Sequence, residues 1–137
     1  MKIAILDDYQ NVALTLADWS RVAGKAEITV FTDHVSDPDE VVARLEPFDA
    51  ICVMRERTPL PRRVIEQLPR LRMIASTGRR NASIDESAAR DHNIEVTATG
   101  YSPTPLCRHL IYLHGLQFHS SSECNLELSS QAYRRHA

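Results

Sequence analysis

An α/β fold built on a parallel sheet is predicted by three features of the sequence. Five short apolar runs recur over the first hundred residues: Ile3–Leu6, Ile28–Phe31, Ala50–Met54, Met73–Ala75 and Ile94–Val96. Each is nearly continuous rather than alternating, which suits strands covered on both faces. Between them lie amphipathic stretches long enough for crossover helices, and strand-helix alternation at this spacing implies right-handed βαβ units.

Taken in order, the first run ends on Asp7 and Asp8. The stretch "LTLADWSRVA" then reads as a helix burying Leu14, Trp19 and Val22. After the second run, "DPDEVVARLEPF" places Asp37 as N-cap, Pro38 at the first helical position and Val41, Val42 and Leu45 on a buried stripe. "TPLPRRVIEQL" follows the third run with Val64, Ile65 and Leu68 on one side. "NASIDESAARDHN" follows the fourth, with Ile84, Ala88 and Ala89 inward and Asn93 as a left-handed stop. Five strands in this order predict a flavodoxin-like doubly wound sheet over residues 1–105. Ligands of such sheets bind beyond the carboxyl ends of the strands. Those ends are marked by Asp7-Asp8, Thr32-Asp33, Arg55-Glu56-Arg57, Ser76-Thr77-Gly78 and Thr97-Ala98-Thr99. After Pro105 the composition changes. Leu106, Leu110 and Leu113 share a helical face, which predicts one more helix to about Phe118. The polar remainder predicts a loose tail, so residues 106–137 form a divergent C-terminal helix and tail.

The totals narrow the function classes. A chain of 137 residues, 43% hydrophobic and 25% charged, is ordinary for one globular domain. A net charge of -2 gives no general case for nucleic acid or membrane binding, and no apolar run approaches a membrane span. The start "MKIAILDDY" lacks the pattern of a secretory signal, so the cytoplasm is the expected location. Cys52, Cys107 and Cys124 fit neither a disulfide framework nor a CxxC metal site, and Cys52 reads as a core residue.

A first strand ending in Asp-Asp resembles a two-component receiver, in which such a pair holds Mg²⁺ beside a phosphoaccepting Asp at the end of strand three. The third run here ends instead on Met54, Arg55, Glu56 and Arg57, and no lysine follows the fifth run in "VTATGYSP". Two arginines in place of the key oxygen do not suit Mg²⁺. The Asp pair therefore reads as a polar loop that caps the first helix.

A longer series of matches points elsewhere. Arg55, Arg57 and Thr58 follow an apolar strand, and Leu71-Arg72-Met73-Ile74 forms the next. Thr77-Gly78, Ser83-Ile84-Asp85, Ala88-Ala89, Asn93-Ile94-Glu95-Val96 and Tyr101-Ser102-Pro103 come after it in order. This series resembles the substrate-binding domain of the D-isomer-specific 2-hydroxyacid dehydrogenases over residues 1 to about 105. Arg80 stands where the family has a second glycine, and Ala82-Ser83 where it has Asp-Asn. The resemblance implies that this domain holds a small anionic 2-hydroxy or 2-keto acid. Its binding residues would be Arg55, Arg57, Thr77, Gly78 and Arg79. Converging N–H donors and a guanidinium suit a carboxylate on physical grounds. Eight arginines lie between Arg55 and Arg80, and Arg62, Arg63, Arg70 and Arg72 read as solvated faces.

A dehydrogenase also needs a dinucleotide loop. The four glycines, Gly24, Gly78, Gly100 and Gly115, offer no GxGxxG spacing. The resembled full-length family uses NAD(H), held by a domain that also carries catalytic Arg, Glu and His. No catalytic residue or cofactor site is assigned in this chain. His109, His114 and His119 recur every five residues, which does not place them on one helical face. The match stops at Leu106-Cys107-Arg108, so the chain is expected to be a substrate-binding half truncated before the NAD-binding domain, through a shifted or shortened reading frame. The alternative is a non-enzymatic module for a small carboxylate or a partner chain. Its exposed interdomain face would then be open to self-association.

Overall fold

The computed structural model describes residues 1–78 and 80–99. The helix expected to Phe118 and the tail after it lie outside the described residues, as does Arg79. The element order is β1 (Lys2–Ile5), α1 (Ala13–Leu16), β2 (Glu27–Val30), α2 (Pro38–Leu45), β3 (Ala50–Val53), α3 (Arg62–Ile65), β4 (Met73–Ser76), α4 (Glu86–Asp91) and β5 (Glu95–Ala98). The five strands pair in parallel in the order β2-β1-β3-β4-β5. This is the flavodoxin-like doubly wound order expected from the sequence. Ile5 lies level with Val30 and Cys52, and Ser76 with Val53 and Ala98, so the five carboxyl ends form one edge.

Alternate residues of each strand serve two apolar clusters. Ala4, Leu6, Ile51, Val53 and Ile74 join Val41, Leu45, Val64, Ile65, Leu68, Ala88 and Ala89 from α2, α3, α4 and their flanks. Ile3, Ile5, Ala50, Cys52 and Met73 join Trp19 and Val22 on the other side. Burial of each Val, Leu or Ile side chain among them stabilises the fold by roughly 1.5–3 kcal/mol.

The helix boundaries follow the expected chemistry. The Asp37 carboxylate accepts from the N–H groups of Asp39 (2.9 Å) and Glu40 (3.1 Å), with Pro38 at the first helical position of α2. Asp85 caps α4 by accepting from Ala88 N–H at 2.8 Å. Asn93 takes φ 57° just beyond α4, the left-handed stop anticipated for it.

The first helix departs from expectation. It spans four residues rather than ten, and Leu14 is half exposed at 50% instead of buried. The chain turns extended at Ala17 (φ -130°, ψ 153°), and Asp18 then accepts from Ser20 N–H at 3.0 Å. That local side-chain turn competes with helix continuation. Trp19 and Val22 are buried as expected, but from a second turn folded back on the first, where Trp19 Nε1–H donates to the Ala13 carbonyl at 2.9 Å.

Candidate substrate site at the carboxyl edge of the sheet

β3 delivers Arg55 just beyond its last residue, in a left-handed conformation (φ 51°) that costs a side-chain-bearing residue about 1 kcal/mol. The surroundings hold it there. Arg55 N–H donates to Thr77 Oγ1 at 3.0 Å, and the Arg55 carbonyl accepts from Asn81 Nδ2. Thr77 N–H donates to the Val53 carbonyl at 3.1 Å, and its hydroxyl reaches Met54 Sδ at 3.4 Å. The loops after β3 and β4 are thus laced together, and Arg55, Thr77 and Gly78 share one locality. Gly78 has φ 96°, and a Cβ added there would meet nothing within 4 Å. Backbone conformation, not space, is therefore what calls for glycine.

β5 closes this locality from the other side. Gly78 N–H donates to Thr99 Oγ1 at 2.8 Å, and Thr99 N–H returns to the Ser76 carbonyl at 3.1 Å. The expectation of N–H donors converging on a ligand is thereby revised for two residues. The N–H groups of Thr77 and Gly78 are both engaged within the fold. Among the described residues, the Arg55 guanidinium has no such engagement, and Arg55 is exposed.

Arg57 goes elsewhere. Its Nη1–H donates to the Asp7 carbonyl at 3.0 Å, and its guanidinium carbon lies 4.6 Å from the centre of the half-exposed Tyr9 ring. It therefore stands over the end of β1, at the point where the strand order reverses. The solvated reading of the remaining arginines fits. Arg62 bridges α3 to α4 through Asp91 (2.9 Å) and Ser87 (3.3 Å) and also pairs with Glu66 at the end of its own helix (3.4 Å), and Arg70 pairs with Asp49 at 3.3 Å.

Asp7 and Asp8 divide two tasks that the sequence reading had merged. Asp8 caps the entry to α1, accepting from Val12 N–H at 3.2 Å and Ala13 N–H at 2.8 Å. Asp7 does not lie in solvent: it is 1% exposed, with φ 59°. Its carboxylate accepts from the buried Thr58 hydroxyl at 2.7 Å and from His34 Nδ1–H at 2.8 Å. Two donors to a buried carboxylate offset much of its desolvation. The result ties the ends of β1 and β3 and the loop after β2 into one rim.

The described residues do not fit a dinucleotide. The first βα turn is the usual pyrophosphate seat of an open α/β sheet. Here its helix N-terminus is filled by the Asp8 carboxylate. Seven residues separate Gly78 from the start of α4 at Glu86. Among the described residues no group of three His, Cys, Asp or Glu side chains could hold a metal ion. No helix among them is long and apolar enough to cross a membrane. Burial pushes the Cys52 thiol up to about 12, so it is no nucleophile.

Asn81 and Thr99 are the site residues that sequence reasoning missed. Asn81 stands in a glycine-containing loop, where asparagine commonly bonds nearby backbone, and that was the available signal. Thr99 carried none beyond its place at a strand end.

Comparison with known proteins agrees with this fold. The family model for the D-isomer specific 2-hydroxyacid dehydrogenase catalytic domain matches residues 3–106. A hydroxypyruvate reductase of Blautia hydrogenotrophica is 31% identical over 97 residues, which is 70% of this chain and 29% of that protein. The crystal structure of a phosphoglycerate oxidoreductase from Vibrio cholerae o395 superposes with a TM-score of 0.69 at 40% identity. It covers 76% of this chain and 33% of that one. A putative D-3-phosphoglycerate dehydrogenase from Ralstonia solanacearum gives 0.68 at 34% identity, over 75% and 31% of the two chains. The chain thus spans about a third of the length of these relatives. On the match of its residues 3–106 and the shared parallel sheet, the chain belongs to the D-isomer specific 2-hydroxyacid dehydrogenase family, through that family's catalytic domain.

Proposed function

We propose that the chain is the substrate-binding half of an NAD-dependent D-2-hydroxyacid dehydrogenase. It holds a small 2-hydroxy or 2-keto acid at the carboxyl edge of the sheet. The observation that carries this reading is the exposed Arg55, fixed in a left-handed conformation and bonded through its N–H to Thr77 at 3.0 Å. A guanidinium on a rigid backbone binds a carboxylate with little loss of freedom. Arg57, over β1, supplies a second positive charge to the same edge. Thr77 and Gly78, whose own N–H groups are engaged within the fold, flank Arg55 at this edge, and Arg79 completes the set carried from the resemblance. The acids named for the relatives, hydroxypyruvate and phosphoglycerate, fit this class.

Hydride transfer needs a reductant held against the substrate. The described residues form no dinucleotide seat, so the 137-residue chain alone is read as inactive and as binding no NAD(H). Self-association through the edge that would face a nucleotide-binding half belongs to the same proposal; light scattering that returns only monomer removes it. The acid site is tested by titrating hydroxypyruvate into ¹⁵N-labelled protein. The Arg55, Thr77 and Gly78 amides are expected to shift, and saturation of those shifts only at about tenfold higher acid concentration in Arg55→Gln supports the assignment. Shifts confined to other parts of the sheet refute it.

A further inference from the structure

Arg55 is gripped on both sides of its Cα. Its N–H donates to Thr77 Oγ1 at 3.0 Å, and its carbonyl accepts from Asn81 Nδ2. Asn81 is itself buried, at 6% exposure, in a loop at the carboxyl edge. Every hydrogen-bonding atom of its side chain is engaged. Nδ2 also donates to Ser76 Oγ at 3.1 Å, while Oδ1 accepts from the Ser83 N–H at 3.0 Å and from the Ser83 hydroxyl. One amide therefore joins the end of β3, the end of β4 and the loop leading to α4. A left-handed arginine has a conformational cost, and it persists where surrounding contacts over-determine it. The direction in which the Arg55 side chain leaves the backbone follows from that conformation.

We propose that Asn81 is a positioning residue for Arg55: by holding the Arg55 carbonyl it fixes the left-handed backbone that aims the guanidinium at the substrate carboxylate. This rests on the acid-binding reading above. Asn81 touches no ligand in this scheme, and its effect passes entirely through Arg55.

That last property makes the proposal testable in the 137-residue chain, with pyruvate as probe in calorimetric titrations. Asn81→Ala is expected to weaken pyruvate binding about tenfold in the native background and to have no further effect in Arg55→Gln, a coupling typical of contacting residues. Asn81→Ser is the second variant should the alanine form not fold. Its hydroxyl can keep the turn to Ser83 but is too short to reach the Arg55 carbonyl. An equal loss in both backgrounds shows a general structural role and overturns the proposal, as does unchanged binding in Asn81→Ala. A second readout needs no ligand. Amide hydrogen exchange at Arg55 is expected to speed up about tenfold in the Asn81 variants, while Ala4 and Ile5 in β1 keep their native rates. If wild-type protein binds no pyruvate, the acid reading fails, and exchange at Arg55 then decides the clamp by itself. Unchanged Arg55 exchange refutes it.

Discussion

Replacing Thr58 by valine tests how the carboxyl edge is built. Thr58 is 4% exposed, and its hydroxyl donates to the Asp7 carboxylate at 2.7 Å. Valine keeps the shape and removes the donor. Asp7 would retain His34 on Oδ1 and lose the hydroxyl on Oδ2, while remaining 1% exposed. A hydrogen bond to a buried charge contributes about 1.5–3 kcal/mol. The extra apolar methyl offsets about 0.8 kcal/mol at most. The expected net loss is therefore about 2 kcal/mol, or a fall in Tm of about 10 °C for a domain of this size. The one tryptophan, Trp19, is buried and reports unfolding by fluorescence. Urea titration should show the midpoint falling by about 1 M with an unchanged slope. Thr58→Ser, which keeps the hydroxyl, should lose less than about 1 kcal/mol. If Thr58→Val lies within about 0.5 kcal/mol of wild type, Asp7 does not depend on this donor and the account of the rim is wrong.

Asp49 accepts from Lys2 N–H at 2.7 Å and from Arg70, and these bonds, the backbone one foremost, hold its carboxyl below the ordinary value. A carboxyl lowered by folding stabilises the protein above about pH 4 and loses that contribution as the pH falls. Asp49→Asn should therefore be less stable than wild type at pH 7 and converge with it in acid; a gap that persists unchanged at pH 3 refutes the assignment. Cys52, with its thiol raised to about 12 by burial, should resist iodoacetamide at pH 8 in a Cys107→Ser, Cys124→Ser background and react once urea unfolds the chain. Rapid native labelling, read by mass spectrometry, contradicts its core placement. Arg55→Gly should raise stability by up to about 1 kcal/mol, because glycine takes φ 51° without strain, while abolishing acid binding. A destabilised glycine variant means that the left-handed geometry is not strained.

The fold was legible because burial on both faces leaves a coarse signature. The apolar runs around Ile5, Ile51 and Ile74 must be nearly continuous to lie between two layers, and they mark three central strands without any reference to neighbours. Capping chemistry is equally local, so Asp37 and Asn93 could be placed from adjacent residues. The first helix misled for the opposite reason. Leu14, Trp19 and Val22 have helical spacing, but Asp18 and the indole bond to Ala13 break the segment into two turns. The site was legible only as a neighbourhood. Sequence placed Arg55 and Thr77-Gly78 at strand ends, and the parallel order brings those ends together. It could not show that Thr99, 21 residues on, takes the Gly78 N–H. Nor could it show that Thr58, 51 residues from Asp7, holds a buried acid where a polar capping loop was expected. Both facts depend on register between strands, which no local pattern encodes.

In the proposed function the chain offers a guanidinium at the edge of its sheet to a small acid, and its described residues offer no seat to a dinucleotide. Calorimetric titration of the purified 137-residue chain with hydroxypyruvate, in the presence and absence of NADH, tests it most directly. Saturable binding of the acid is expected, weakened about tenfold or more in Arg55→Gln and of the same affinity with and without NADH, with no heat from NADH alone. Binding of NADH by itself, or acid binding indifferent to Arg55, would contradict it.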